Sequence, residues 1–217
     1  MAHSEITDMS GFELGAPALI CRWRLSHGHL PLTNRHMRAL LARIVNGQRV
    51  TTELVAWAKQ HIEWTLQQGS AEYPDGTLML IVDTQGKAAM TVGSYLPLED
   101  VSVQGLTRRA QRAADEGAKT GVAPETLWLV QGDTLIWDQG EDCTASGAAS
   151  LIVQLAKTLG IDVIRYEGLI EAVRAKDIPY DEVFLVSDEH GVVPAIDATG
   201  VHGQRLAQGY QRLLERS

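Results

Sequence analysis

The chain has 217 residues, 45% of them hydrophobic, and 19 basic against 27 acidic side chains give a net charge of -8. That is enough apolar material for a sizeable core, as one domain or two small ones. The acidic balance and the lack of a basic cluster argue against nucleic acid or an anionic membrane as partner, and two cysteines, Cys21 and Cys143, are too few for a disulfide scaffold or a cysteine zinc site and read as buried thiols.

The opening MAHSEITDMSG has neither a basic nor an apolar leader region, and no run approaches membrane-spanning length, so a cytoplasmic protein is expected. APALICRWRLSHGHLPL predicts a strand that turns at His27-Gly28 into a second short strand. TNRHMRALLARIVNG predicts a helix capped by Thr33 or Asn34 and stopped at Asn46-Gly47, with Met37, Leu40, Leu41 and Ile44 on one face. A second helix follows Thr51 or Thr52, with Leu54, Val55, Ala58, Ile62 and Leu66 as its apolar stripe. TLMLIVDTQGKAAMTVGSYLPL is a hairpin turning near Gln85-Gly86. These elements make an N-terminal α/β domain over residues 1–98, with 99–105 as linker.

The expected C-terminal α/β domain, residues 106–217, begins with the polar helix LTRRAQRAADEGAKTG. ETLWLVQGDTLIW is then a hairpin turning at Gln131-Gly132-Asp133. SGAASLIVQLAKTLGI is an amphipathic helix with Ser146 as N-cap and Leu151, Ile152, Leu155, Ala156 and Leu159 sharing a face. A short strand, DVIRYEG, and a short helix, LIEAVRAKDI, precede a last hairpin, YDEVFLVSDEHGVVPAID, whose tip carries Asp188, Glu189 and His190 in a row. The helix GQRLAQGYQRLLER closes the chain.

In order and spacing, ETLWLVQGDTLIW, SGAASLIVQLAKTLGIDV and YDEVFLVSDEHGVVPAID resemble the C-terminal domain of class IV aminotransferases. These are the fold type IV pyridoxal phosphate enzymes: branched-chain and D-amino acid aminotransferases and aminodeoxychorismate lyase. NRHMRALLARI resembles that family's N-domain helix, which begins with His and carries an Arg three residues later. The resemblance implies a shortened two-domain α/β fold of type IV, pyridoxal phosphate as cofactor, and a homodimer or a heterodimer with an active relative.

The family's phosphate cup uses a helix N-terminus, where free amides and the helix dipole hold the anion. Ser146, Gly147 and Ala148 stand there, with Ala148 in place of the family's Thr, and a small anionic ligand is one expectation for this position. The family's cup arginine falls on Ala39, and Arg38 is one residue earlier, about 100° round the helix. Arg35, Arg38 and Arg43 then read as a solvated basic face. At the hairpin tip, Asp188 replaces a threonine, or Ser187 does if the register slips by one. A carboxylate roughly 4 Å from a phosphate is repelled by about 4 kcal/mol per unit charge pair at an effective dielectric of ~20.

Gln104 lies nearest the position of the imine-forming lysine, and an amide forms no imine; a count for the glutamate that pairs with the pyridine nitrogen lands on Gly121. Of the five lysines only Lys87 is close to strand sequence, which makes it the candidate if an imine forms at all. Two functions follow. One is a protein of this fold that has lost lysine-based chemistry and acts as a binding or partner subunit. The other is an active transaminase or lyase using Lys87. A third reading gives Asp188, Glu189 and His190 acid–base or metal-binding work, although neighbours on a strand point to opposite faces. No histidine spacing marks a metal site.

Overall fold

The computed structural model describes residues 13–69, 71–140 and 142–215; the leader reading of the first residues lies outside them. Among the described residues no helix is long and apolar enough to cross a membrane. Of the two larger sheets, the first carries one apolar cluster and the second carries one on each face.

The first sheet has the order β1-β4-β5, from β1 (Pro17–Arg24), β4 (Thr77–Asp83) and β5 (Ala88–Gly93). Alternation puts Leu19, Cys21 and Trp23 of β1 beside Leu78, Leu80 and Val82 of β4, under α1 (Thr33–Ala42) and α2 (Thr52–Gly69). The predicted α2 stripe forms as read: Ala58 and Ile62 are buried, and Leu54, Val55 and Leu66 pack against them. Thr51 caps this helix by accepting the Leu54 amide.

Helix α1 departs from expectation in three ways. Its entry is Leu32, in a left-handed conformation (φ 59°, ψ 19°) with no side-chain cap, and Thr33 instead donates its hydroxyl to the Leu30 carbonyl. The helix stops at Ala42, and Asn46-Gly47, both with positive φ, turn the two-stranded hairpin β2 (Ile44–Val45) to β3 (Gln48–Arg49). The buried stripe runs through His36, Met37, Ala39 and Leu40, one residue back from the predicted face, which leaves Leu41 exposed.

The second sheet has the order β10-β9-β6-β7-β8: β6 (Glu125–Gln131), β7 (Thr134–Trp137), β8 (Asp162–Arg165), β9 (Glu182–Ser187) and β10 (Gly191–Pro194). Only β7 and β8 are parallel, joined through α4 (Gly147–Leu159). One face packs on α4 and α6 (Val201–Leu214), with Trp128, Trp137 and Phe184 stacked at its centre. The other face packs on α3 (Val103–Thr120) and α5 (Leu169–Ala175). Ser146 caps α4 through the Ala149 amide as predicted, while Leu159, at the helix's last turn, is partly exposed rather than core.

The basic face predicted on α1 is not formed as such. Arg43 is buried at 3% exposure and donates to Glu116, Thr120 and the Val122 carbonyl, so it bolts the end of α1 to the end of α3. Arg35 reaches across to Ser150 and Gln154 on α4; Arg38 alone of the three is fully exposed. These contacts, with the Arg24 amide donating to the Asp188 carbonyl, bring the two sheets together at the tip of the β9–β10 hairpin.

Candidate functional site

The tip inherits its geometry from strand alternation. Phe184 and Val186 point to the α4–α6 face, whereas Val183 and Leu185 point to the α3–α5 face. Continuing that alternation, Asp188 falls on the α4 side and Ser187 on the α3 side. Two adjacent residues therefore open two separate sites.

On the α4 side, Asp188 is 4% exposed and its Oδ1 accepts the Ala148 amide at 2.7 Å. The carboxylate thus caps the helix N-terminus where the dipole is most positive. Its Oδ2 lies 3.7 Å from Nδ1 of His36, which is itself 2% exposed and has no hydrogen-bond partner on that nitrogen. Burial alone would raise the Asp188 carboxyl. The His36 ring and the Ala148 amide outweigh it, with help from the more distant Arg43, and hold it below the ordinary carboxylate range. Gly147 is required: a Cβ there would run into the His36 ring and lie 3.3 Å from the Asp188 carboxylate. Ser146, Ala148 and Ala149 are fully buried, so this seat is closed and already filled by a side chain.

On the α3 side, the Ser187 hydroxyl donates to Glu125 Oε1 at 2.8 Å and accepts the amides of Glu189 and His190, which turns the hairpin. Glu125 is buried at the start of β6, opposite Ser187, and its Oε2 is 2.6 Å from Nε of Arg109 on α3. Burial nevertheless pushes the Glu125 carboxyl above its usual range. Arg109 also donates to Nε2 of His190 at 2.8 Å, while Nδ1 of His190 is 3.2 Å from the Tyr95 hydroxyl. A guanidinium only donates, so Nε2 carries the lone pair, Nδ1 carries the proton, and the ring is neutral. Burial, and then the Arg109 charge, drive His190 down to about 4, in keeping with that tautomer. Glu125 and Glu189, at 3.9 and 3.7 Å from Nε2, are accordingly not ion-pair partners of a neutral ring.

Above this cluster lies an open cleft of about 600 Å³, between α3 and the segment Leu96–Leu98, with Arg22 of β1 at its edge. Arg22, Arg108, Arg109 and Arg112 all line it, together with Glu189 and His190. Arg108, Arg109 and Arg112 come from one helix, and folding brings Arg22 of β1 to join them beside the carboxylates of Glu99, Asp100 and Glu189.

The structure brings Ser146, Gly147, Ala148 and Asp188 together at one point and sets Ser187 against the opposite face. It leaves the other sequence candidates elsewhere. Arg38 is exposed on α1, and Gln104 is exposed on the first turn of α3, beside Lys176 and Tyr180. Lys87 sits in the β4–β5 turn with its amine on the Glu13 carbonyl. Thr77, at the other end of β4, hydrogen-bonds Glu189, so Lys87 is about 20 Å of strand away from the hairpin tip. All five lysines are exposed. Asp188, Glu189 and His190 diverge toward His36, Thr77 and Tyr95 respectively, and among the described residues no group of three His, Cys, Asp or Glu side chains has metal-binding geometry. Sequence reasoning missed Glu125, Arg109 and Tyr95. The one available signal was Glu125 opening an otherwise apolar buried strand.

No protein-family model and no curated protein matches the chain. Solved structures do. A hypothetical aminotransferase from Mycobacterium tuberculosis, in its PLP-bound form, superposes with a TM-score of 0.62 at 13% identity, covering 94% of each chain. 4-Amino-4-deoxychorismate lyase from Pseudomonas aeruginosa matches with 0.55 at 14% identity over 91% of each. A T.th. branched-chain amino acid aminotransferase, complexed with N-(5'-phosphopyridoxyl)-L-glutamate, matches with 0.55 at 11% identity, over 94% of this chain and 86% of that one. At such identities the likeness establishes the fold: this chain has the α/β fold of the type IV aminotransferases and lyases, in a short 217-residue form.

Proposed function

We propose that the chain is a small-molecule binding protein built on the type IV fold, in which lysine-based pyridoxal phosphate chemistry has been lost. The observation that carries this reading is the hydrogen bond from the Ala148 amide to the buried Asp188 carboxylate. In the resembled family the helix N-terminus receives the cofactor phosphate; here it receives the chain's own anion. Because the Asp188 carboxyl is held below its ordinary range, it is charged at neutral pH, and a phosphate roughly 4 Å away would be repelled by about 4 kcal/mol per charge pair. The seat as built does not fit that group. The exposed lysines point the same way, since a lysine amine becomes an efficient imine nucleophile when burial or a neighbouring cation lowers its pKa.

The test is an absorbance scan of the purified protein after incubation with pyridoxal phosphate, then borohydride reduction and peptide mapping. The expected result is no band at the visible edge and no single modified lysine. A band with its adduct on one lysine, Lys87 above all, would overturn the reading in favour of a transaminase or lyase.

A further inference from the structure

The open cleft on the α3 side is lined by Arg22, Arg108, Arg109 and Arg112 and by the carboxylates of Glu99, Asp100 and Glu189, and two of the four arginines have no ion-pair partner among the described residues. Arg108 pairs with Asp100 at 2.6 Å, and Arg109 with Glu125 at 2.6 Å. Arg22 on strand β1 and Arg112 on helix α3 line the same cleft, and neither side chain has a hydrogen-bond or ion-pair partner among the described residues. On α3, Arg112 lies three and four residues beyond Arg109 and Arg108, so like charges stack along one helix face. Like charges at this spacing destabilise a helix. In a chain of net charge -8, three arginines on one face of α3 meeting a fourth from β1 is a concentration of the minority charge. A bound anion would give Arg22 and Arg112 the partner that Arg108 and Arg109 already have.

The segment Leu96–Leu98 adds apolar surface to the lining, next to Glu99 and Asp100. Leu96 is 71% exposed and stands with Pro97 and Leu98 facing the arginines across the cleft. A guanidinium fork grips a carboxylate or phosphate with two parallel hydrogen bonds and is more weakly hydrated than an ammonium, so two free forks select a ligand with two oxyanion groups. The volume of about 600 Å³ suits a compact organic molecule. His190, neutral in its contact with Arg109, adds a polar group to a lining that also holds the carboxylates of Glu99, Asp100 and Glu189.

We propose that this cleft binds a small organic acid bearing two or more oxyanion groups, gripped by Arg22 and Arg112, with its apolar part against Leu96 and Pro97. The proposal deepens the binding-protein reading by naming the ligand class, and it places the anion in the arginine cleft and not at the α4 N-terminus.

Isothermal titration calorimetry tests it on the full chain, with citrate and pyrophosphate as separate probes at fixed ionic strength. Citrate binding marks a polycarboxylate ligand and pyrophosphate binding a phosphorylated one; either supports the site if it depends on the two arginines. The R22Q/R112Q double variant is expected to weaken the tighter probe at least ~10-fold, the loss of two charge-assisted forks. The R49Q variant, at an exposed residue of the β2–β3 hairpin, is expected to bind as the unaltered chain does. Equal binding by all three proteins, or no binding of either probe, overturns the proposal. Both substituted arginines are exposed, and circular dichroism of the double variant verifies that it is folded. The pyridoxal phosphate scan is run separately on the same preparation: an imine without arginine-dependent anion binding sinks the functional reading and the ligand class, whereas no imine and no anion binding sinks the ligand class alone.

Discussion

Asp188 and Glu125 are both buried carboxylates, and they stand on the two sides of one hairpin tip with opposite titration behaviour. Asp188 receives a helix N-terminal amide and faces a buried imidazole, and its carboxyl is held down. Glu125 has a nearer and permanent cation, Arg109, together with the Ser187 hydroxyl, and its carboxyl is pushed up. The closer cation loses because burial of Glu125 outweighs Arg109 and Ser187 together, and the neighbouring Glu189 carboxylate adds a like charge that raises it further. On the α4 side both partners are dry and the backbone amide is fixed. Proximity of one cation therefore does not decide which carboxylate the fold wants ionised; the balance of burial against every neighbouring charge and amide does.

The largest test of this contrast is Asp188→Asn. The amide keeps an oxygen for the Ala148 N–H but removes the charge that His36 and the helix dipole face. A loss of about 2–4 kcal/mol in unfolding free energy is expected at neutral pH, in the range for breaking a buried pair while one hydrogen bond survives. Urea titration followed by circular dichroism measures it. A loss under about 0.5 kcal/mol would mean that the carboxylate is no better seated than a neutral group. The same group sets an acid limit. Its folded value lies below the ordinary 3.8, so its contribution is complete above that pH and is lost as pH falls through the lower folded value.

His190 supplies a second window, which lies just above the first. Its ordinary value is 6.5 and its folded value about 4. Between these the unfolded chain takes up a proton that the folded chain refuses, so stability declines as pH falls from about 6.5 to about 4 and then levels off with respect to this group. The melting temperature is expected to be flat near neutrality, to drop across that window, and to lose the drop in His190→Gln. A drop of equal size in the variant would place the acid sensitivity elsewhere.

The scaffold was largely legible in sequence because burial imposes periodicity. The α2 stripe from Leu54 to Leu66, the Ser146 cap and the β6–β7 and β9–β10 hairpins all follow from local spacing and turn chemistry. Where tertiary contact overrode local signals, the sequence misled. Arg43 reads as solvated until α3 supplies three acceptors, and Thr33 reads as a cap although Leu32 takes the helix entry. The site was half legible. Ser146, Gly147, Ala148 and Asp188 follow from strand–helix order, but Arg22, Arg109 and Glu125 are far apart in sequence and meet only through the packing of β1, α3 and β6. Pattern within a segment carries no information about such meetings.

The smallest expected effect is the matched change on the other side, Glu125→Gln. Its raised carboxyl means that ionisation costs stability as pH rises through the folded value, so removing the charge removes a cost as well as an attraction. Glutamine keeps an oxygen for the Ser187 hydroxyl, and Arg109, being partly exposed, can turn its charge to water. The two changes nearly cancel, and the unfolding free energy at neutral pH should move by less than about 1 kcal/mol. Paired with Asp188→Asn in one buffer, this gives the same carboxylate-to-amide change twice, on the two sides of one hairpin tip. Equal losses would show that the environment of each carboxylate is irrelevant and that burial alone sets its worth. Unequal losses in the stated order would leave the dry imidazole and the fixed amide as the cause, because they are what the Asp188 side has and the Glu125 side lacks.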